Sequence, residues 1–298
     1  MALEIAPHST AANDSLGSLF LQRRHWPEAM ERFESVLQIS PGDTAAREGE
    51  EKAAVALALH YRGAGNAEAS LQTLQHAASV LPGDATLLTD LGVQAQSMGR
   101  LKIAKDALNA ALSIAPGNAT THYALGRVEM DQQDFPAAEK EFQVYLRQRP
   151  EDATAHYGLG RIYQMQQRVE PATQEFRKSI ELQPVQGESY YQLGQMALDA
   201  NREDEARDDF QITLQRMPAH GGALTGMGIL AYRQKQYADA ERSLTRAVTV
   251  SPEYQPAHYY LGLTLRRLGQ QAQAQQELDK AVELTDKQQG KGAPIAQP

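Results

Sequence analysis

Eight histidines and a scatter of carboxylates are the side chains of this 298-residue chain with the clearest capacity to hold a metal or move a proton. His122 and His156 lie 34 residues apart, and His258 follows after three further steps of the same length, 258 - 156 = 102. Side chains that recur once per structural repeat are separated by a whole repeat. They cannot share an ion whose bonds are only about 2 Å long. The sequence has no His-Glu-x-x-His and no clustered carboxylate motif, so the histidines are expected to pack rather than to bind metal. Gly63-Ala64-Gly65 falls between two helical segments rather than after a strand, which removes the phosphate-loop reading. The serines form no nucleophile elbow. The sequence therefore predicts no catalytic, cofactor or metal site.

The spacing of the histidines belongs to a wider pattern. His122-Tyr123-Ala-Leu125-Gly126-Arg127 is echoed by His156-Tyr157-Gly-Leu159-Gly160-Arg161, and Ala138, Phe142 and Pro150 by Ala172, Phe176 and Pro184. Every pair is 34 residues apart. Pro82, Pro116, Pro150, Pro184, Pro218 and Pro252 mark the same step, after a longer one of 41 from Pro41. A fixed period in this range is the signature of stacked repeats. Eight blocks follow: 10–43, 44–84, 85–118, 119–152, 153–186, 187–220, 221–254 and 255–288. Each carries two amphipathic segments at helical period and no strand alternation.

In the first segment a large apolar residue precedes a small one, as in Leu16-Gly17, Leu91-Gly92 and Leu193-Gly194. In the second, a small residue is followed four positions later by a large one, as in Ala29 and Phe33 or Ala206 and Phe210. The small residues let antiparallel helices approach, and the large ones fill the hollow beside them. Proline closes the second helix, and Asp43, Asp84, Asn118 and Asp152 are placed to cap the next. The second block has seven extra residues. They are nearly two helical turns, so its first helix, Thr44 to about Arg62, is expected to run on by roughly 10 Å. Its start, Arg47-Glu48-Gly49-Glu50-Glu51-Lys52, is charged and expected to be solvated. Residues 1–9 and 289–298 are expected to be unstructured.

These residues carry a resemblance: the chain is similar to tetratricopeptide repeat arrays over 10–288. The resemblance implies an all-α, right-handed superhelical solenoid of eight helix pairs whose first helices line a concave groove. In that family, ligands usually lie in the groove. Carried onto this chain, the groove positions give Tyr123, Arg127, Tyr157, Arg161, Gln164, Tyr191, Gln195, Tyr232, Arg233, Tyr259 and Arg266, with Asp14, Thr89 and Thr225 at equivalent places. The resemblance places the tyrosines and arginines most densely over blocks four to six. The two-lysine, two-asparagine clamp of chaperone-tail-binding members is absent.

Twenty-nine basic against 37 acidic residues give a formal charge of -8, which argues against nucleic acid and anionic membrane as partners. The absence of cysteine excludes disulfides. No apolar run reaches the roughly 18 residues of a membrane span. The start has neither a basic nor an apolar leader region, so the chain as given is expected to be soluble and cytoplasmic, or periplasmic if a signal peptide was removed. The Ala/Gln-rich composition leans bacterial. The expected role is a non-enzymatic scaffold that holds a peptide or helical segment of a partner protein. The alternatives are self-association through the terminal repeats, or recruitment of substrate for a separate enzyme.

Overall fold

A computed structural model describes residues 9–290. The expected unstructured ends lie outside these residues, except for Ser9, which caps the first helix, and Gln289 and Gly290, which close the last. Sixteen α-helices and no strand occur among the described residues. They fall into two compact units, 1–150 and 151–298.

The first unit contains α1 (Thr10–Gln22), α2 (Trp26–Ile39), α3 (Thr44–Gly63), α4 (Ala67–Val80), α5 (Ala85–Ser97), α6 (Leu101–Ile114), α7 (Ala119–Asp131) and α8 (Phe135–Gln148). The second contains α9 (Ala153–Met165), α10 (Val169–Leu182), α11 (Glu188–Asp199), α12 (Glu203–Arg216), α13 (Gly221–Arg233), α14 (Tyr237–Val250), α15 (Gln255–Arg267) and α16 (Gln271–Gln288). Within each unit, consecutive helices pack as pairs and each pair packs on the next, the arrangement of an all-α solenoid.

The glycines show why the pairs sit so close. A Cβ added to Gly17 would lie 2.8 Å from the Phe33 ring, at Gly92 2.5 Å from Leu108, and at Gly160 2.8 Å from Phe176. Gly126, Gly194, Gly228 and Gly262 meet Phe142, Phe210, Leu244 and Leu278 in the same way. A helical glycine costs about 1 kcal/mol against alanine; here the ring or leucine of the second helix occupies the space a methyl would need.

The ends of the helices follow equally local rules. Asp43, Asp84, Asn118 and Asp152 accept hydrogen bonds from the first backbone N–H groups of α3, α5, α7 and α9. The turn inside each block uses a left-handed residue at one fixed place. It is glycine at Gly65, Gly99 and Gly269, but Arg24, Gln133, Gln167, Asn201 and Lys235 in the other blocks.

The long α3 has 20 residues where α1, α5 and α7 have 13 each, as the seven-residue insertion requires. Its start corrects the sequence reading. Gly49 faces Phe33, where a Cβ would lie 2.4 Å from the ring. Glu50 is 0% exposed, with neither carboxylate oxygen hydrogen-bonded. The charged run is therefore split by helical phase: Glu48 and Lys52 pair outside (3.0 Å) while Glu50 lies in the core. Burial first, and the Glu34 carboxylate second, push the Glu50 pKa up to about 8.

Candidate functional site: the first-helix surface

The repeating histidines resolve into struts. His122 pairs with Glu141, His156 with Glu175 (2.6 Å) and His258 with Glu277 (2.6 Å), each across the two helices of one block. His122 and His258 also set Nε2 on the carbonyls of Pro116 and Pro252, both at 2.9 Å. Their role is in packing, and no group of three metal-ligating side chains occurs among the described residues.

The tyrosines and arginines sort by unit. In the first, Tyr123 is half-buried, its ring 5.4 Å from Phe142 and 5.0 Å from Tyr145, and Arg127 is exposed. Asp131, four residues on, accepts a hydrogen bond from Gln96 Nε2 at 2.8 Å, which ties α7 to α5. Thr89 is not a surface residue. It is buried, donating to the Ala85 carbonyl and bonded to Thr121 Oγ1 at 2.7 Å. Thr225 in the second unit is likewise buried on the Gly221 carbonyl.

The second unit assembles a connected patch on α9 and α11. Arg161 Nη1 donates to the Tyr157 hydroxyl at 3.3 Å, and the Tyr157 ring rests 5.9 Å from Phe176. Arg161 Nε is buried and makes no hydrogen bond. The Arg161 charge reaches Glu188 and Tyr191 on the neighbouring first helix. Tyr191 lies over His220, ring centres 4.4 Å apart, and 6.2 Å from Phe210. Burial first, and then Tyr254, raise the phenol's pKa, so it stays neutral.

His220 does two jobs there. Its Nδ1 accepts from Ala223 N at 3.0 Å and caps α13, which leaves the proton on Nε2, 3.5 Å from Glu188. The Glu188 pKa is lowered, first by the neighbouring His220 imidazole and then by the Arg161 charge, against the opposing effect of burial. The sequence did not single out Glu188 or His220. The only signal was their place beside the expected tyrosine, Glu188 at the opening of α11 and His220 just before α13.

The other expected residues do not join this patch. Gln195 donates to Asp199 at 2.9 Å along its own helix, and Gln164 is half-buried on α9. Tyr232 packs edge-on to Tyr237 (5.7 Å) and Tyr260 (6.1 Å). Arg233 reaches back to the Leu198 carbonyl (3.3 Å) and Asn201 Oδ1 (3.2 Å), binding one block to the one before it. Tyr259 is 42% exposed against Tyr260, and Arg266 is exposed on the last turn of α15. The arrangement offers fixed aromatic faces with one guanidinium and one carboxylate between them. It holds charged and planar groups in place without a nucleophile beside a base.

Comparison with known proteins completes the description. The family model for the tetratricopeptide repeat matches residues 123–186 and 225–290. A search of curated proteins finds no sequence match. Among solved structures, a tetratricopeptide repeat protein from Parabacteroides merdae is similar at 20% identity with a TM-score of 0.64, covering 81% of this chain and 93% of that one. PilF of Pseudomonas aeruginosa is similar at 20% identity and 0.62, covering 71% and 96%. YrrB, described as a tetratricopeptide repeat protein with an unusual peptide-binding site, is similar at 22% identity and 0.50, covering 62% and 95%. At these identities the likeness is one of fold. No helix among the described residues is long and apolar enough to cross a membrane.

Proposed function

Since this chain is a tetratricopeptide repeat protein, we propose that it is a non-enzymatic interaction scaffold that holds a segment of a partner protein against the first helices of its repeats. The observation that carries the reading is the patch of Tyr157, Arg161, Glu188, Tyr191 and His220. Tyrosine and arginine are enriched where binding energy concentrates. Here Phe176, Phe210 and His220 already hold the rings, so little side-chain freedom remains to be lost on binding.

Successive helices lie about 8–10 Å apart, and an extended peptide advances about 3.3 Å per residue. Every third side chain of such a peptide would meet a tyrosine, while Arg161 takes an acidic side chain or a terminal carboxylate through charge-assisted hydrogen bonds. Glu188 lies in that guanidinium's field, so an incoming carboxylate shares the Arg161 charge with it. YrrB, with its peptide-binding site, is a precedent for this use of the fold.

The test is selection of displayed random dodecapeptides on the intact chain. Enriched peptides should carry an acidic or carboxy-terminal anchor and bind with micromolar Kd, about -8 kcal/mol. Arg161→Ala should weaken them at least ~10-fold, a change of about 1.4 kcal/mol, while helicity and thermal melting stay as in the parent. Equal affinity for the parent and Arg161→Ala would remove the groove reading.

A further inference from the structure

The last two blocks of the second unit gather their own aromatic cluster. Tyr232 stands in the last turn of α13 and Tyr237 opens α14, their rings edge-on and 5.7 Å apart. Tyr260 of α15 lies edge-on to Tyr232 at 6.1 Å, and Tyr259 edge-on to Tyr260 at 5.4 Å. Tyr232 and Tyr260 rest on the core of Leu244, Leu261 and Leu265, so these rings are held before anything binds. Tyr259 stands out from the cluster, 42% exposed.

Cations surround these rings. Arg267, in the last turn of α15, sits beside the Tyr232 phenol; that neighbour first, and Tyr237 second, raise its pKa. Arg266 beside it is exposed, as is Lys235 in the turn between Tyr232 and Tyr237. None of the three pairs with a carboxylate among the described residues. The nearby acids are already engaged: Glu203 by Arg233 (4.0 Å) and Gln234 (3.1 Å), Asp239 by Arg242, and Glu241 by Gln270 (3.1 Å). The first turn of α16 adds no acid. Five cations, Arg233, Lys235, Arg242, Arg266 and Arg267, thus stand against three carboxylates, in a chain whose formal charge is -8.

We infer that the ends of α13 and α15 form a docking subsite for an acidic partner segment, in which an aromatic residue stands roughly three positions from a pair of carboxylates. The spacing comes from α15 itself. Arg266 follows Tyr259, and Arg267 follows Tyr260, by seven residues. Seven residues are nearly two helical turns, so each arginine shares a face with its tyrosine and lies about 10 Å further along the helix. An extended segment covers that distance in about three residues at 3.3 Å each. Its aromatic ring packs on Tyr259, and its carboxylates meet Arg266 and Arg267 through charge-assisted hydrogen bonds. A basic segment would meet the surplus of cations instead. The inference rests on the reading that the chain binds partner segments along its first helices. It adds an anchor with no carboxylate beside it, whereas Arg161 has Glu188.

The experiment titrates the full chain, labelled with ¹³C at arginine Cζ and in the tyrosine rings, with the blocked peptide Gly-Phe-Ser-Ser-Glu-Glu-Gly. Signals of Tyr259, Arg266 and Arg267 should shift and saturate together. Replacing both glutamates by lysine, or the phenylalanine by serine, should weaken binding at least ~10-fold. Arg266→Ala combined with Arg267→Ala in the chain should do the same and leave helicity as in the parent, since both side chains are exposed. The reordered peptide Gly-Ser-Ser-Phe-Glu-Glu-Gly, equal in charge and composition, should bind at least ~5-fold more weakly. Which arginines move separates the two readings. Movement at Arg161 alone would overturn this inference and leave the first anchor standing; saturation at Arg266 and Arg267, with peptide selection indifferent to Arg161, would do the reverse. Unmoved Arg266 and Arg267 signals, or equal binding of the two peptide orders, would also overturn the inference.

Discussion

Phe33 and Phe210 hold the same place in their blocks, and each is closed between two glycines. A Cβ at Gly17 or Gly49 would lie 2.8 or 2.4 Å from the Phe33 ring, and one at Gly194 or Gly226 2.8 or 2.3 Å from Phe210. The second glycine of each set comes from the following block, so a single ring locks one block internally and also to its successor. The two junctions differ in the next residue along the following block's first helix. In the second unit it is Met227, partly buried; in the first it is Glu50, fully buried and without a hydrogen bond. Backbone approach, fixed by glycine and an aromatic ring, is thus the primary constraint. The adjacent core slot tolerates a carboxyl group that stays protonated.

Removing the rings puts the equivalence to its hardest test. Phe33→Ala and Phe210→Ala should each cost about 3–5 kcal/mol. Hydrogen exchange is the suitable readout, because repeat arrays open block by block; protection should fall in α1–α3 for one variant and in α11–α13 for the other. A cost below ~1 kcal/mol at either ring would break the comparison.

The acid sets the next largest effect. Below its unfolded value of 4.5 Glu50 is protonated in both states; between 4.5 and about 8 the folded chain keeps a proton that the unfolded chain has lost. Stability should therefore fall as pH rises through that window, by up to about 1.4 kcal/mol per pH unit. Glu50→Met, which copies the other junction, should flatten the urea midpoint across the same pH range. An unchanged slope would mean that this carboxyl is not the one that titrates.

The smallest effect lies in the turns of the two blocks. Arg24 (φ 62°) and Asn201 (φ 56°) are both left-handed. Asparagine visits this region readily and arginine does not. Arg24→Gly should raise the melting free energy by up to ~1 kcal/mol, and Asn201→Gly by almost nothing. Equal gains would show that the strain is not a matter of side-chain type.

The period was legible because proline, glycine and the large apolar residue each sit at one fixed position, and those three set helix end, helix approach and core filling. Glu50 was not, since in a run of six residues with five charges only its phase relative to Gly49 separates core from solvent. Thr89 and Thr225 occupy the predicted surface positions, but a hydroxyl is short enough to turn onto its own helix's carbonyl, which a tyrosine cannot do. Tyr232 and Arg233 went to neighbouring blocks because rings and guanidinium groups lie within reach there. Contacts between blocks are not written in the periodicity of any one block.

The histidine–glutamate struts have a consequence for how such a chain is extended. Both members of each strut come from one block, 19 residues apart, as do Gly126 with Phe142 and Gly160 with Phe176. Copying a block therefore copies its polar tie and its internal apolar lock together, and only the ring's outer contact, as of Phe33 with Gly49 or Phe210 with Gly226, is asked of the following block. Where only half was kept, at Asp209, Tyr190 stands at the histidine's place in the block, and burial, Glu205 and Asp208 leave a carboxyl with a pKa of about 6. A cassette that carries its own inner fittings can be added or lost as a unit, so long as the block after it presents the small residue that its ring needs.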